Sequence, residues 1–165
     1  MRPYEAIRLT TKLYTEGELD ALRSISKRVT NPRAHWLEKP KVRPAHRQRS
    51  FQLVGTSGRE DRFLIYQRQN LLDRHDFSCG IAYLPRGAPQ LTLARYNGPS
   101  HEHGDISYRA HIHKASEHAI AAGRKAESDA NETSRFESLE GALACLVEDY
   151  EVIGLNVRHD QQKLL

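Results

Sequence analysis

The sequence lacks any long apolar run. No stretch of the 165 residues approaches the roughly 18 to 20 consecutive apolar residues that cross a bilayer. The N-terminal residues, MRPYEAIRL, contain neither an apolar segment nor a small-residue cleavage site, so they do not resemble a signal peptide. We therefore expect a soluble, cytoplasmic protein without a membrane partner.

Cysteine is also scarce. The two cysteines, Cys79 and Cys145, lie far apart in the sequence and do not suit a disulfide framework. Both fall within apolar patterns, which predicts two buried, reduced thiols. Apolar residues make up 38% of the chain and charged residues 28%. This composition predicts one modest core beneath a very polar surface.

Several catalytic motifs are absent. The segment Gly55-Thr56-Ser57-Gly58 lacks the following Gly-Lys-Ser/Thr of a phosphate-binding loop and is better explained as a hairpin turn. No Gly-x-Ser-x-Gly elbow occurs, and neither cysteine has a histidine near it in sequence. The sequence therefore gives little support to a nucleophilic hydrolase.

Positive charge is concentrated near the N-terminus. Residues 1–50 carry 12 Lys/Arg and 5 Asp/Glu, a balance of +7, whereas residues 51–165 carry 13 and 16, a balance of −3. Three prolines and few large apolar residues predict an extended, basic arm over residues 31–50. We expect the arm to bind nucleic-acid phosphates, with a solvated linker or a dock for an acidic protein as alternatives. The basic excess is densest over residues 27–49, whose cations are Lys27, Arg28, Arg33, Lys39, Lys41, Arg43, Arg47 and Arg49.

The first 50 residues also contain a predicted helix. Thr15 and Glu18 have the spacing of a capping box, and a proline disfavours helical geometry at Asn31, so the helix is expected to end there. A looser alternation over residues 4–14 suggests a strand. The apolar stripe of the helix is Leu19, Leu22, Ile25 and Val29.

The rest of the chain predicts an α+β fold with residues 51–165 as one domain. The β-prone runs are 51–55, 62–68, 77–84 and 90–96, with 106–113 as a fifth strand. Their connections are too short for crossover helices, so neighbouring strands should pair as hairpins. A short helix over 115–122 and a longer one starting at the capping-box spacing of Ser134 and Glu137 follow. We predict an antiparallel sheet of four to five strands packed against these C-terminal helices.

Five of the nine histidines lie between residues 95 and 118. Alternate residues of a strand share a face, so His111 and His113 should point the same way, together with Arg109. His101 and His103 should lie on a loop near the same end of the sheet. This segment is the best candidate for a functional site, although surface or structural histidines are an alternative.

The histidines favour an enzyme that cleaves RNA without a metal cofactor. Imidazole titrates near neutrality, so His111 and His113 would serve as base and acid, supported by His101 and His103. The remaining roles are assigned to neighbouring residues: phosphate clamps (Arg109 and Arg95), charge stabilisation (Lys114) and stacking on bases or hydrogen bonding (Tyr96 and Tyr108).

Two other interpretations stay open. In the first, His101, His103, His111 and His113 bind zinc, iron or manganese for a metal-dependent hydrolase or nuclease. Neither the HExxH motif nor the glutamate spacing of cupins is present to support a particular metal. In the second, the protein binds nucleic acid or another protein without catalysis.

The same segment resembles a group of small, uncharacterised bacterial proteins. The resemblance rests on FSCGIAYLP, RYNGPSHEH and HIHKASEHA, an NG-x-SH-x-H segment followed by HIH-x-A-x-E, and covers roughly residues 62–150. The order of sheet and helices is also loosely similar to RelE-like ribonuclease toxins of toxin–antitoxin modules, from which the basic arm and the many histidines depart. This likeness implies a toxin that cleaves mRNA or acts at the ribosome, neutralised by a small antitoxin.

Overall fold

A nine-stranded sheet dominates the computed structural model, which describes residues 12–58, 60–100 and 104–161. The strands are β1 (Lys27–Val29), β2 (Leu37–Lys39), β3 (His46–Gly55), β4 (Arg62–Asn70), β5 (Phe77–Tyr83), β6 (Leu91–Asn97), β7 (His111–Lys114), β8 (Ala130–Glu132) and β9 (Val152–Ile153). The helices are α1 (Glu16–Ser24), α2 (Glu117–Ala121) and α3 (Leu139–Asp149). None of the helices in the described residues is long and apolar enough to span a bilayer.

The sheet is mostly antiparallel, in the order β8-β7-β6-β5-β4-β3-β1-β9, with β2 paired to β3 outside this path. The parallel pair is β1 with β9. The predicted α+β class and the antiparallel pairing of β3, β4, β5 and β6 are therefore confirmed. The predicted number of strands is too small, since short segments of two to four residues join both edges.

Helix α1 begins where predicted but ends early. Thr15 caps it, and both contacts of the capping box with Glu18 are present. The helix stops at Ser24, and Val29, expected on its apolar stripe, is a buried residue of β1 instead. Pairing of β1 with β3 and β9 overrides the helical spacing of Val29. All but the last three residues of the strand expected over residues 4–14 lie outside the described chain.

Much of the predicted arm belongs to the sheet. β2 and the first half of β3 lie within residues 31–50, and residue 50 is in the middle of β3. The ring of Trp36 lies 4.1 Å and 4.3 Å from the guanidinium carbons of Arg47 and Arg49. These cation–π contacts and the β2–β3 ladder hold the segment against the sheet.

One face of the sheet carries the core. Helix α3 packs on β5 and β6 with its apolar side, as predicted, and Leu19 of α1 joins the same cluster. Both cysteines are free and buried, also as predicted. Alternate residues of the central strands supply the rest: Phe51, Leu53, Phe63, Ile65, Phe77, Cys79, Ile81 and Tyr96.

The C-terminal helices start later than predicted. The N-cap of α3 is Ser138, not Ser134, and its hydroxyl accepts from the backbone N–H of Gly141 at 3.0 Å. Asp160 accepts from the backbone N–H groups of Glu137 (2.6 Å) and Ser138 (3.1 Å), so these groups are satisfied outside the helix. Likewise, α2 starts after its N-cap Ser116.

Candidate functional site

His111 and His113 lie on the face of the sheet opposite the core. In the register of β6 and β7, His111 pairs with Asn97 and His113 with Arg95, while Ile112 points to the core cluster. The two imidazoles are 0% and 1% exposed, with ring centroids 5.2 Å apart. The predicted common orientation of the two histidines therefore agrees with the structure.

Both imidazoles are oriented by backbone carbonyls. Nδ1 of His111 lies 3.0 Å from the carbonyl oxygen of Arg109, and Nδ1 of His113 lies 2.9 Å from that of Glu127. A carbonyl oxygen only accepts, so each Nδ1 carries the hydrogen. In the neutral ring, Nε2 is then the basic nitrogen that binds a proton or a metal ion.

Asn97 links His111 to the neighbouring strand. The hydroxyl of Ser78 donates to Oδ1 of Asn97 at 2.6 Å, which directs the amide Nδ2 towards His111. Nδ2 lies 3.4 Å from Nε2 of His111, a long contact in which the amide donates and the imidazole accepts. Asn97 is the last residue of β6 and only 7% exposed.

Arg95 and Glu127 lie beside His113. Nη1 of Arg95 is 3.8 Å from Oε1 of Glu127, whose residue is 9% exposed. Nε of Arg95 is buried and has no hydrogen-bond partner in the described part of the chain. A buried donor of this kind is costly unless something pairs with it, which makes this place suitable for an anionic or oxygen-rich ligand.

Tyr66 lies on the same side of the sheet as Arg95. A Cβ added to Gly80 would lie 2.1 Å from Cζ of Tyr66, so the tyrosine ring occupies the space above the glycine. Burial raises the pKa of Tyr66, with the guanidinium of Arg95 acting in the opposite direction. Any side chain at Gly80 would displace the ring.

Other residues predicted for the site lie elsewhere. Arg109 precedes β7, and its side chain, 69% exposed, binds Glu132 at 3.0 Å. Tyr108 is an exposed residue of the same connection. Arg109 meets His111 through its backbone carbonyl and not, as predicted, through its guanidinium, because β7 begins only at His111 and both Tyr108 and Arg109 lie outside the strand.

Tyr96 and Lys114 belong to the other face. The hydroxyl of Tyr96 donates to Asp149, and its ring stacks on Phe136 with centroids 5.7 Å apart. Burial raises the pKa of Tyr96 strongly, as does its bond to Asp149. Lys114 lines a cavity on this side together with Tyr96 and Asp149. The predicted roles of Tyr96 and Lys114 in substrate binding at the histidines are wrong, because strand alternation points them away.

His101 and His103 lie outside the described residues. They stand between Ser100 and Gly104 in the connection from β6 to β7. Their predicted convergence with His111 and His113 stays a prediction. Within the described residues, no group of three or more His, Cys, Asp or Glu side chains is arranged to hold a metal ion.

Apart from Lys27, the basic residues of the predicted arm differ in how exposed they are. Arg28, Arg33, Lys41 and Arg43 are exposed, and Lys39 is half-buried. Arg47 and Arg49 are half-buried, stack on Trp36 and donate to the side-chain oxygens of Gln69 and Gln67. The exposed group remains available to phosphates, so the predicted nucleic-acid role stays open for it.

Lys27 differs from all of these. It is fully buried, and its Nζ donates to the backbone oxygens of Arg23 (3.1 Å), Ile25 (2.7 Å) and Tyr150 (2.8 Å). Burial lowers its pKa to about 8. Lys27 is a structural residue, and its predicted contact with nucleic acid is wrong.

Sequence reasoning missed Ser78, Asn97, Tyr66 and Glu127. Alternation along β4, β5 and β6 would have placed Tyr66, Ser78 and Asn97 on the same side of the sheet as His111 and His113, since they are polar residues within β-prone runs. No sequence signal locates Glu127, because its position depends on the connection between α2 and β8.

A comparison of the chain with family models, curated proteins and solved structures finds no match.

Proposed function

We propose that the protein is a metal-dependent hydrolase in which the Nε2 atoms of His111 and His113 bind the metal ion, which replaces the long contact from Asn97 at Nε2 of His111. The observation that carries this proposal is the pair of Nδ1–carbonyl contacts, at 3.0 Å and 2.9 Å. Histidines that bind metals commonly donate the other ring N–H to a carbonyl or carboxylate, which fixes the tautomer and directs Nε2 at the metal. His-x-His on a strand supplies two such ligands on one face.

Burial of both imidazoles favours a small ligand. Rings that are 0% and 1% exposed suit a metal ion, which imidazole binds in its neutral form. His101 and His103 are the proposed additional ligands, and zinc, iron and manganese are the metals that such a set suits.

The neighbouring Arg95 points to a phosphodiester substrate. Its guanidinium faces His113 across the β6–β7 ladder and retains a buried, unpaired Nε. The metal ion would supply an activated water for hydrolysis of the phosphodiester, in which the leaving alcohol takes up the proton that the water releases. Glu127, beside Arg95, is the proposed carrier of that proton.

The second candidate is a metal-independent endoribonuclease that acts as the toxin of a toxin–antitoxin module and is neutralised by an antitoxin protein. It is favoured by the contact from Asn97 to Nε2 of His111, because an imidazole that accepts there is neutral and able to act as a base. His113 would then be the acid, with Arg95 against the phosphate.

Metal analysis of the purified protein separates the two candidates. We expect stoichiometric zinc, iron or manganese in the wild type, and loss of phosphodiesterase activity with chelator that returns on adding the metal. His113→Gln should lose both metal and activity. His75→Gln, a substitution of an exposed histidine in the β4–β5 turn, should lose neither. RNA cleavage by metal-free protein that needs His111 and His113 would replace the first candidate by the second.

A further inference from the structure

Two rows of side chains run across the sheet from β3 to the two histidines of β7, beyond which β8 continues them with Ala130 and Glu132. In the register of β3 to β7, the first row ends at His113 and the second at His111. Directly opposite residues share a face, so both rows lie on the side away from the core. The first row is Ser50, Tyr66, Gly80, Arg95 and His113; the second is Gln48, Arg68, Ser78, Asn97 and His111. We call this surface the open face.

The β3–β4 half of the open face is accessible. Ser50 is exposed, and Gln48, Tyr66 and Arg68 are half-buried. Arg62, two strand residues beyond Leu64 on the same side of β4, is exposed. Helices α1 and α3 pack on the core side instead.

The charge of the open face suits an anionic partner. Arg62 and Arg68 lie on β4, and Arg95 lies two strands away towards the histidines. The carboxylates near the histidine end are already engaged, Glu127 with Arg95 and Glu132 with Arg109. A chain of phosphates would find cations on β4, and a further one on β6.

Tyr66 gives this surface an aromatic centre. Its ring lies over Gly80, so it extends along the sheet instead of standing away from it. An aromatic ring in the middle of a sheet surface is a platform on which an unpaired base stacks. From β4 to β7 the distance is about 14 Å at roughly 4.8 Å per strand, within reach of the same bound strand.

We propose that the open face binds single-stranded RNA, with one base stacked on Tyr66 and phosphates bound by Arg68 and Arg62, and directs the strand to the histidines. Gln48 and Ser50 provide hydrogen-bonding groups for the 2′-hydroxyls that distinguish RNA from DNA. This inference rests on the proposed function, whose substrate it identifies.

Fluorescence anisotropy with a fluorescein-labelled, single-stranded RNA tests the inference, in the presence of chelator to prevent metal-dependent cleavage. We expect Tyr66→Leu to weaken binding about ten-fold and Tyr66→Phe to stay within about two-fold, because stacking needs the ring. Arg68→Gln should weaken binding and lower the slope of log K against log salt by about 0.7. The control Arg74→Gln, a substitution of an exposed arginine in the β4–β5 turn, should bind like the wild type.

Equal affinity of Tyr66→Leu and wild type, with an unchanged circular dichroism spectrum, would overturn the inference. So would equal binding of DNA of the same sequence or of duplex RNA, or a dependence on Lys41 and Arg33 in place of Arg68 and Arg62. The two proposals fail separately: RNA binding by a protein that is purified without metal contradicts only the metal site, and a protein purified with metal that does not bind RNA contradicts only the open face.

Discussion

Adjacent rows of the same sheet have opposite character. One row, Phe51–Ile65–Ile81–Ala94, is buried and apolar beneath α3. The adjacent row, Ser50–Tyr66–Gly80–Arg95, is shifted by one residue on each strand; it is polar and leads to the buried His113. Because side chains alternate along a strand, the two surfaces share every backbone hydrogen bond. The core side therefore carries the stability and leaves the other side available for polar chemistry.

The strongest test of this comparison uses neighbours on β4. Ile65→Ala should destabilise the protein by about 2–5 kcal/mol, because it leaves a cavity in the core. Leu64→Ala removes the same kind of side chain from the half-buried open side and should cost well under half of that. Urea denaturation followed by circular dichroism measures both free energies of unfolding. Equal losses would show that the open side is packed as tightly as the core.

Lys27 is the exception on the buried side. Lys27→Met should cost about 2–3 kcal/mol, since three backbone carbonyls lose their charged donor and remain buried. Its exposed neighbour provides the control, and Arg28→Met should change stability by less than about 0.5 kcal/mol. The same denaturation series checks both. A neutral effect of Lys27→Met would mean that water replaces the lysine.

The core side also contains a titratable carboxyl group, that of Asp149. Burial alone would raise the pKa of Asp149, but hydrogen bonds from Arg135 and Tyr96 outweigh burial and lower it. A lowered folded-state pKa gives stability above the unfolded value, about 3.9, that is lost as pH falls through the folded value. Asp149→Asn should therefore cost about 1–2 kcal/mol at pH 7 and progressively less below pH 4. A difference independent of pH would contradict this assignment.

The central sheet was predictable from sequence, whereas its edges were not. Strands β3 to β6 have enough alternating residues to be recognised, and Thr15 and Glu18 marked the start of α1. Lys27 and Trp36 looked like arm residues because their burial depends on β9 and on the β2–β3 ladder, partners distant in sequence. Short strands of this kind gain their stability from pairing, which local patterns do not reveal.

The candidate site was predictable to the same extent. Strand alternation placed His111 and His113 on one face, as the register of β7 shows. It also assigns Tyr96 to the opposite face from Arg95, a distinction that grouping by sequence proximity hid. Arg109 failed as a partner because β7 begins only at His111. Faces, not distances along the chain, decide which side chains meet.

The smallest expected effect on stability is that of Gly80→Ala, which tests the role of Tyr66 on the open face. Gly80→Ala adds a methyl group where Cζ of Tyr66 lies 2.1 Å away, so the ring must swing outward, at a cost of about 1 kcal/mol or less because it is only half-buried. If the ring stacks on RNA bases from its place above Gly80, Gly80→Ala should weaken RNA binding several-fold in the wild-type background. In the Tyr66→Leu background it should produce no further loss, a coupling that a double-mutant cycle measures by anisotropy. Additive losses would mean that Gly80 acts on RNA through something other than the tyrosine, and the open face would then lack the aromatic platform on which its proposed specificity depends.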